Sequence, residues 1–271
     1  MKSNSMEKMS DGVSMLMQER IRETLSEIER THQVKILFAC ESGSRGWGFA
    51  SQDSDYDVRF IYVHSLDWYL TLDRKRDVIE KPIDDELDVS GWELSKALKL
   101  MRNSNPALIE WLQSPIVYHK DEDFFAQLES LAEQFYSPLK ARYHYLSISK
   151  RNLYTDFKGE EVKLKKYFYI LRSVLALRWI ENHKNMPPMA FRDLVAACVR
   201  QKNVLTEINT LLEIKGRGKE SLYGARRPAI DALIQETIDS MERYQFPEPS
   251  CKDSRLLDAF LQKTILEFST K

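Results

Sequence analysis

One run, Val34 to Val63, constrains this chain more than any other. It begins VKILFAC, continues ESGSRGWGFASQDS and ends DYDVRFIYV. The first piece is a short apolar stretch bounded by turn residues, which predicts a buried strand. The middle piece is rich in Gly and Ser and carries turn chemistry. The last piece alternates, with Tyr56, Val58, Phe60 and Tyr62 on one face and Asp55, Asp57 and Arg59 on the other. That is the period of a strand.

Asp55 and Asp57 therefore project from the same face. On an extended strand their side chains start roughly 6.6 Å apart, close enough to converge on one divalent cation or to clamp two. Like charges this close ask for a counter-ion. Gly43 and Ser44, directly after the first strand, offer backbone N–H groups and a hydroxyl that can hold phosphate oxygens. An Asp-x-Asp pair alone is usually a solvated strand edge, and a Gly-Ser pair is usually a turn. The ordered set of strand, Gly-Ser, ten residues and Asp-x-Asp points instead to a metal–phosphate site.

Gly43-Ser44-Arg45-Gly46-Trp47-Gly48 followed by Ser54-Asp55-Tyr56-Asp57 resembles the signature of the DNA polymerase beta-type nucleotidyltransferase superfamily. The longer string ESGSRGWGFASQDSDYDVRFIY resembles a bacterial and phage family of nucleotidyltransferases associated with RNA ligases and RNA repair. That resemblance extends over nearly the whole chain, through ELDVSGWEL, NPALIEWLQSPIVY and KKYFYILRSVLALRWI. It implies a small mixed sheet with helices and a third carboxylate on a later strand. Asp88, in Glu86-Leu87-Asp88-Val89-Ser90, is the best match; Asp84 and Asp85 compete and read as turn residues after Pro82. Gly46 stands where many superfamily members carry Ala, which reads as added flexibility in the turn.

The chain has 271 residues, enough for one large or two modest domains. No apolar run approaches a membrane span, and MKSNSMEKMSDG lacks the apolar core of a signal peptide; Met6 is an alternative start. Cys40, Cys198 and Cys251 are widely spaced and form no metal motif, and no His pair has zinc-ligand spacing. A reduced, cytoplasmic protein is the simplest expectation. Net charge is −1, so the molecule as a whole does not attract nucleic acid. The charge is uneven, however. Residues 140–178 hold ten Lys or Arg and three Asp or Glu, whereas residues 80–133 hold five and twelve. These blocks either face each other across a cleft or form two solvated surfaces.

Residues 13–31 show helical periodicity, with Val13, Leu16, Met17, Ile21, Leu25 and Ile28 in one stripe. Leu66–Leu70 suits a short helix, Trp92 to Arg102 a longer one, and Asn105-Pro106 caps another. Ile116 to Tyr118 reads as a last strand or an extended link. From about residue 120 every periodic segment is helical, so the expected class is α+β: a nucleotidyltransferase-type mixed sheet with helices over 1–120, then an all-α domain over 121–271.

Glu161 to Asn182 reads as one helix, with Lys165, Tyr169 and Arg172 on a polar stripe and Lys166 beside it. By the resemblance, Lys165, Lys166 or Lys150 contacts a nucleotide triphosphate from the second domain; otherwise the three form a solvated basic face. Residues 215–227, KGRGKESLYGARR, either touch an RNA backbone or form an exposed connection. The pairs Tyr143–Tyr145 and Tyr167–Tyr169 either stack a base or belong to the core.

The expected activity is transfer of a nucleoside monophosphate from an NTP to a hydroxyl. Asp55, Asp57 and Asp88 would hold two Mg²⁺ ions (Mn²⁺ could substitute), and Gly43, Ser44 and Arg45 would bind the nucleotide. The family association suggests an RNA end as acceptor and a functional link to an RNA ligase. The alternatives are a nucleotide-binding regulator or antitoxin-like protein on the same fold, or an enzyme modifying a protein. A metal-dependent phosphohydrolase fits the Gly-Ser spacing poorly.

Overall fold

The computed structural model describes residues 13–83, 86–217, 222–243 and 252–269. Met6, Asp84, Asp85, Cys251 and part of the 215–227 loop lie outside the described residues.

The run that opens the sequence reading forms the centre of a five-stranded sheet. β1 is Val34–Glu41 and β2 is Tyr56–His64; β3 (Val78–Glu80), β4 (Leu87–Glu93) and β5 (Val117–Lys120) complete the order β3-β4-β2-β1-β5. β2 and β4 are parallel and the other pairings antiparallel, which makes the sheet mixed. β1 is buried on both faces except at Lys35, as its apolar run requires.

Helix α1 (Met15–His32) covers one face, laying Met17, Ile21, Leu25 and Ile28 against Tyr56, Val58, Phe60 and Tyr62. Ser14 caps it by accepting from the Met17 N–H. The turn between the central strands holds one helical turn, α2 (Gly43–Gly46), and α3 (Leu66–Tyr69) follows β2. α4 (Leu94–Arg102) and α5 (Pro106–Leu112) cover the other face, packing on Leu37, Phe38, Cys40, Ile61 and Val63. The expected helix from Trp92 starts two residues late because β4 runs through Glu93, whose buried carboxylate then caps α4 at Ser95 and Lys96. Asn105 caps α5 with Pro106 in the first turn, as expected.

Beyond residue 120 come α6 (Glu122–Phe135), α7 (Pro138–Asp156), α8 (Lys165–His183), α9 (Phe191–Cys198), α10 (Lys202–Gly216), α11 (Pro228–Arg243) and α12 (Arg255–Ser269). α8 to α11 build their own core around Phe168, Leu171, Leu194, Ile208 and Ile234. α6 and α12 instead join the sheet core through Phe124, Leu128, Leu257 and Phe260.

One element departs from the expected helices. Glu161–Lys163 (β6) pairs antiparallel with Tyr223–Ala225 (β7), so the segment read as one helix from Glu161 begins its helix only at Lys165. Three-residue strands carry too little alternation to read; Gly224 lies close against Leu164, where a Cβ would stand 3.0 Å from the leucine side chain. Among the described residues no helix is long and apolar enough to cross a membrane. Cys40 and Cys198 are buried free thiols whose pKa values burial raises.

Candidate active site

The site forms where β1 turns into β2. Gly43 has a φ of +56°, and a Cβ there would stand 1.9 Å from Asp57 Oδ2. The turn thus passes directly over the Asp57 carboxylate, and only glycine fits. Gly46 is also sterically fixed: a Cβ would meet the Glu41 carbonyl oxygen at 2.9 Å and Met189 Cε at 2.4 Å. Its role is close packing, not the added flexibility expected from the sequence.

Asp57 is pinned through its backbone. Its N–H donates to Glu41 Oε1 at 2.9 Å, and its carbonyl accepts from the Ser42 N–H at 2.8 Å. Glu41 is fully buried at the end of β1 and also accepts from the Tyr118 hydroxyl at 2.5 Å. Burial pushes its carboxyl pKa up to about 7, against the lowering effect of those two hydrogen bonds.

The parallel register sets Asp57 opposite Asp88. Between them lies Arg59, whose Nη2 donates to Asp57 Oδ1 at 3.0 Å and to Asp88 Oδ2 at 2.7 Å. Its Nη1 donates to the carbonyls of Val58 and Asp88. Asp55 is exposed, one residue before β2 begins.

Across the cleft stands α8. A small cavity of about 50 Å³ is lined by Ser44, Phe49, Asp55 and Asp57 on one side and by Lys165, Phe168, Tyr169 and Lys215 on the other. The charges that meet here are not the two opposed blocks of the sequence: Asp55 and Asp57 lie before residue 80 and Lys215 beyond residue 178, and only Lys165 comes from the basic block. Lys215 closes α10 and is buried, with Nζ 3.5 Å from Ser54 Oγ and 5.7 Å from the Phe49 ring centre. A larger cavity of about 460 Å³ adjoins, sharing Lys165 and Tyr169 and adding Lys166, Arg151, Trp47 and Arg172.

The other expected residues fall elsewhere. Arg45 stacks on Tyr56 at 3.7 Å and donates to the carbonyls of Ser54 and Asp55, bracing the loop that carries Asp55; it lines neither cavity. Lys150 pairs with Glu242 and also lies outside both cavities. Lys166 pairs with Asp156 at 3.3 Å on the wall of the larger one. Arg172 is buried and holds Glu110 at 2.7 Å, while the Trp47 indole donates to the same carboxylate at 2.9 Å. Phe49 stacks on Phe168 at 4.8 Å and the Trp47 carbonyl accepts from the Phe191 N–H, so the glycine turn is anchored in the helical core.

Among the described residues no group of three His, Cys, Asp or Glu side chains is assembled to hold a metal ion. The donor chemistry still suits a hard cation. Asp57 and Asp88 already converge on one positively charged nitrogen, and Asp55 and Asp57 open onto one cavity, where phosphate oxygens could complete a coordination shell.

The family model for the RNA repair pathway DNA polymerase beta family, RlaP, matches residues 17–263. The uncharacterized protein YcgL of Bacillus subtilis (strain 168) is 48% identical over 223 residues, covering 82% of this chain and 86% of its own length. A solved nucleotidyltransferase-like protein from Exiguobacterium sibiricum 255-15 aligns over 93% of this chain and 90% of its own at 11% identity, with a TM-score of 0.31, an overlap too loose to bear on the site.

Proposed function

The chain belongs to the RNA repair pathway DNA polymerase beta family of nucleotidyltransferases, and from that premise we propose that it transfers a nucleoside monophosphate from an NTP to a hydroxyl at an RNA end. The observation that carries this reading is the small cavity, where Asp55 and Asp57 face Lys165 and Lys215 beside Ser44. Carboxylates opposite lysines suit a metal-bound triphosphate, whose charge must be met from both sides.

Asp55 and Asp57, with Asp88 behind Arg59, would hold Mg²⁺, or Mn²⁺ in its place. The bound ions would polarise the reacting phosphate and favour loss of the acceptor's proton. Ser44 orients a phosphate from the turn, by its N–H or its hydroxyl. Lys165 and Lys215 offset the charge that builds on the pyrophosphate as it leaves. Buried Glu41 fixes the Asp57 backbone, so that its carboxylate need not reorganise during the reaction. A hydroxyl poised this way needs no histidine base, and none lines either cavity.

The test is a transfer assay with each labelled NTP, total RNA and Mg²⁺, run beside Asp57→Asn. Label should enter RNA with the native protein and fall at least about 100-fold with the variant. Label appearing only on protein would move the acceptor to a polypeptide. NTP binding without transfer would favour the regulator.

A further inference from the structure

Helix α7 presents one exposed stripe of unusual composition. Tyr143, Ser147, Lys150, Arg151, Tyr154 and Lys158 are all exposed. Except for Lys158, which lies just past the end of α7, all are in the helix. At about 100° per residue they fall within an arc of roughly 100°. The stripe holds no acidic side chain. Tyr143 and Tyr154 are 53% and 73% exposed. The Lys158 ammonium stands 4.2 Å from the Tyr154 ring centre. Lys150 pairs with Glu242 of α11.

Single exposed aromatics are ordinary. Two of them about 16 Å apart along a helix, with cations between and beyond, are the arrangement that binds single-stranded nucleic acid: rings for base faces, cations for phosphates. The stripe is also continuous with the site. Arg151 lines the larger cavity, which shares Lys165 and Tyr169 with the cavity holding Asp55 and Asp57. A molecule with net charge −1 gains its attraction for RNA locally, and residues 140–178 carry ten Lys or Arg against three Asp or Glu.

We propose that the exposed stripe of α7 is the track on which a single-stranded RNA acceptor lies, its bases on Tyr143 and Tyr154 and its hydroxyl end entering the larger cavity past Arg151. The nucleotidyltransferase reading underlies only the direction of the strand; the binding surface stands on its own composition. Duplex RNA hides its base faces, so the track discriminates against it.

The experiment measures fluorescence anisotropy of a labelled, unstructured RNA oligonucleotide across a salt series, with NTP binding followed in parallel. The test variant is Tyr143→Ala/Tyr154→Ala/Lys158→Gln; none of these residues lines either cavity. RNA affinity should fall about 10-fold or more, as expected for two lost stacking contacts, with NTP binding unchanged. The log–log salt slope should flatten by about 0.7 for the one cation removed. Tyr143→Phe/Tyr154→Phe should retain the native affinity, because the ring faces remain. Unchanged RNA affinity in the Ala variant, or equal native affinity for duplex and single strand, would overturn the track. RNA affinity lost in the variant while the native protein transfers no nucleotide would keep the track and sink the enzymatic reading.

Discussion

Asp57 and Asp88 stand opposite each other on parallel strands, and one nitrogen of Arg59 serves both carboxylates, at 3.0 and 2.7 Å. The guanidinium supplies the positive charge that two facing carboxylates require when nothing else is bound between them. Arg59→Met should therefore leave the two in mutual repulsion. With both carboxylates partly solvated, the expected loss is about 1 kcal/mol of stability in metal-free buffer. Mg²⁺ should raise the melting temperature of the variant more than that of the native protein. An equal Mg²⁺ effect on both would show that these carboxylates do not share a cation site.

Gly43 separates an effect on the site from an effect on the fold. Gly43→Ala puts a methyl where Asp57 Oδ2 now lies and strains a φ of +56°. The backbone strain should cost about 1–3 kcal/mol. Displacement of the carboxylate should lower nucleotide transfer about 100-fold, in line with the penalty of misplacing a reacting group. Thermal melting and turnover, measured on one preparation, check both figures. A variant with native turnover would detach Asp57 from the reaction.

Arg172 tests the frame around the glycine turn. Arg172→Met leaves the Glu110 carboxylate buried without its guanidinium and takes the cation from above the Trp47 ring. Removing one partner of such a buried pair typically costs about 3–5 kcal/mol. Glu110→Leu added to it should restore most of that stability, which denaturant titration of the two variants would measure. A double variant as unstable as the single one would mean that Trp47, not the unpaired charge, sets the cost.

His64 gives the molecule an acid-sensitive point away from the site. Its ring stacks on Trp68 at 4.1 Å and nearly parallel. Burial pushes its pKa down to about 4, with Lys75 and His32 adding to the fall. The folded protein resists a proton that the unfolded chain accepts near 6.5, so this stability is complete above about pH 6.5 and is lost as pH falls towards 4. Allowing for the ring's partial exposure, about 1 kcal/mol is at stake. His64→Phe keeps the stack and removes the titration. Its melting temperature should fall less than the native one between pH 6.5 and 4, and parallel falls would show that His64 does not titrate on unfolding.

The parts of the site that were legible in the sequence are those whose meaning is local. Asp55, Asp57, Gly43 and Ser44 sit within fifteen residues, and alternation alone puts the aspartates on one face. Asp88 was legible because its flanking Leu87 and Val89 are buried on the face opposite to it. Arg59 was visible on the aspartates' face, but its bridging role depends on the β2–β4 register, which no local pattern encodes. Lys215 read as part of a basic loop; it is the end of α10 folding back on Ser54, a contact across 161 positions. Arg172 read as part of a polar stripe and Arg45 as a nucleotide contact; a cation beside a site reads the same whether it meets a ligand, a buried glutamate or a row of carbonyls, and here Arg172 holds Glu110 and Arg45 the carbonyls of Ser54 and Asp55. The β6–β7 pairing escaped notice because its strands are shorter than one cycle of any useful pattern.

The packing of α12 against the sheet has a consequence for biosynthesis. Leu257 and Phe260 complete a core whose strands are made some two hundred residues earlier. While the chain is being translated, α4, α5 and α6 can close over Phe38 and Ile61, but the core they share stays open on the α12 side until residues 255–269 leave the ribosome. The half of the molecule that is synthesised first is thus the half that is finished last, and a nascent chain stalled before α12 would be a natural client for a chaperone.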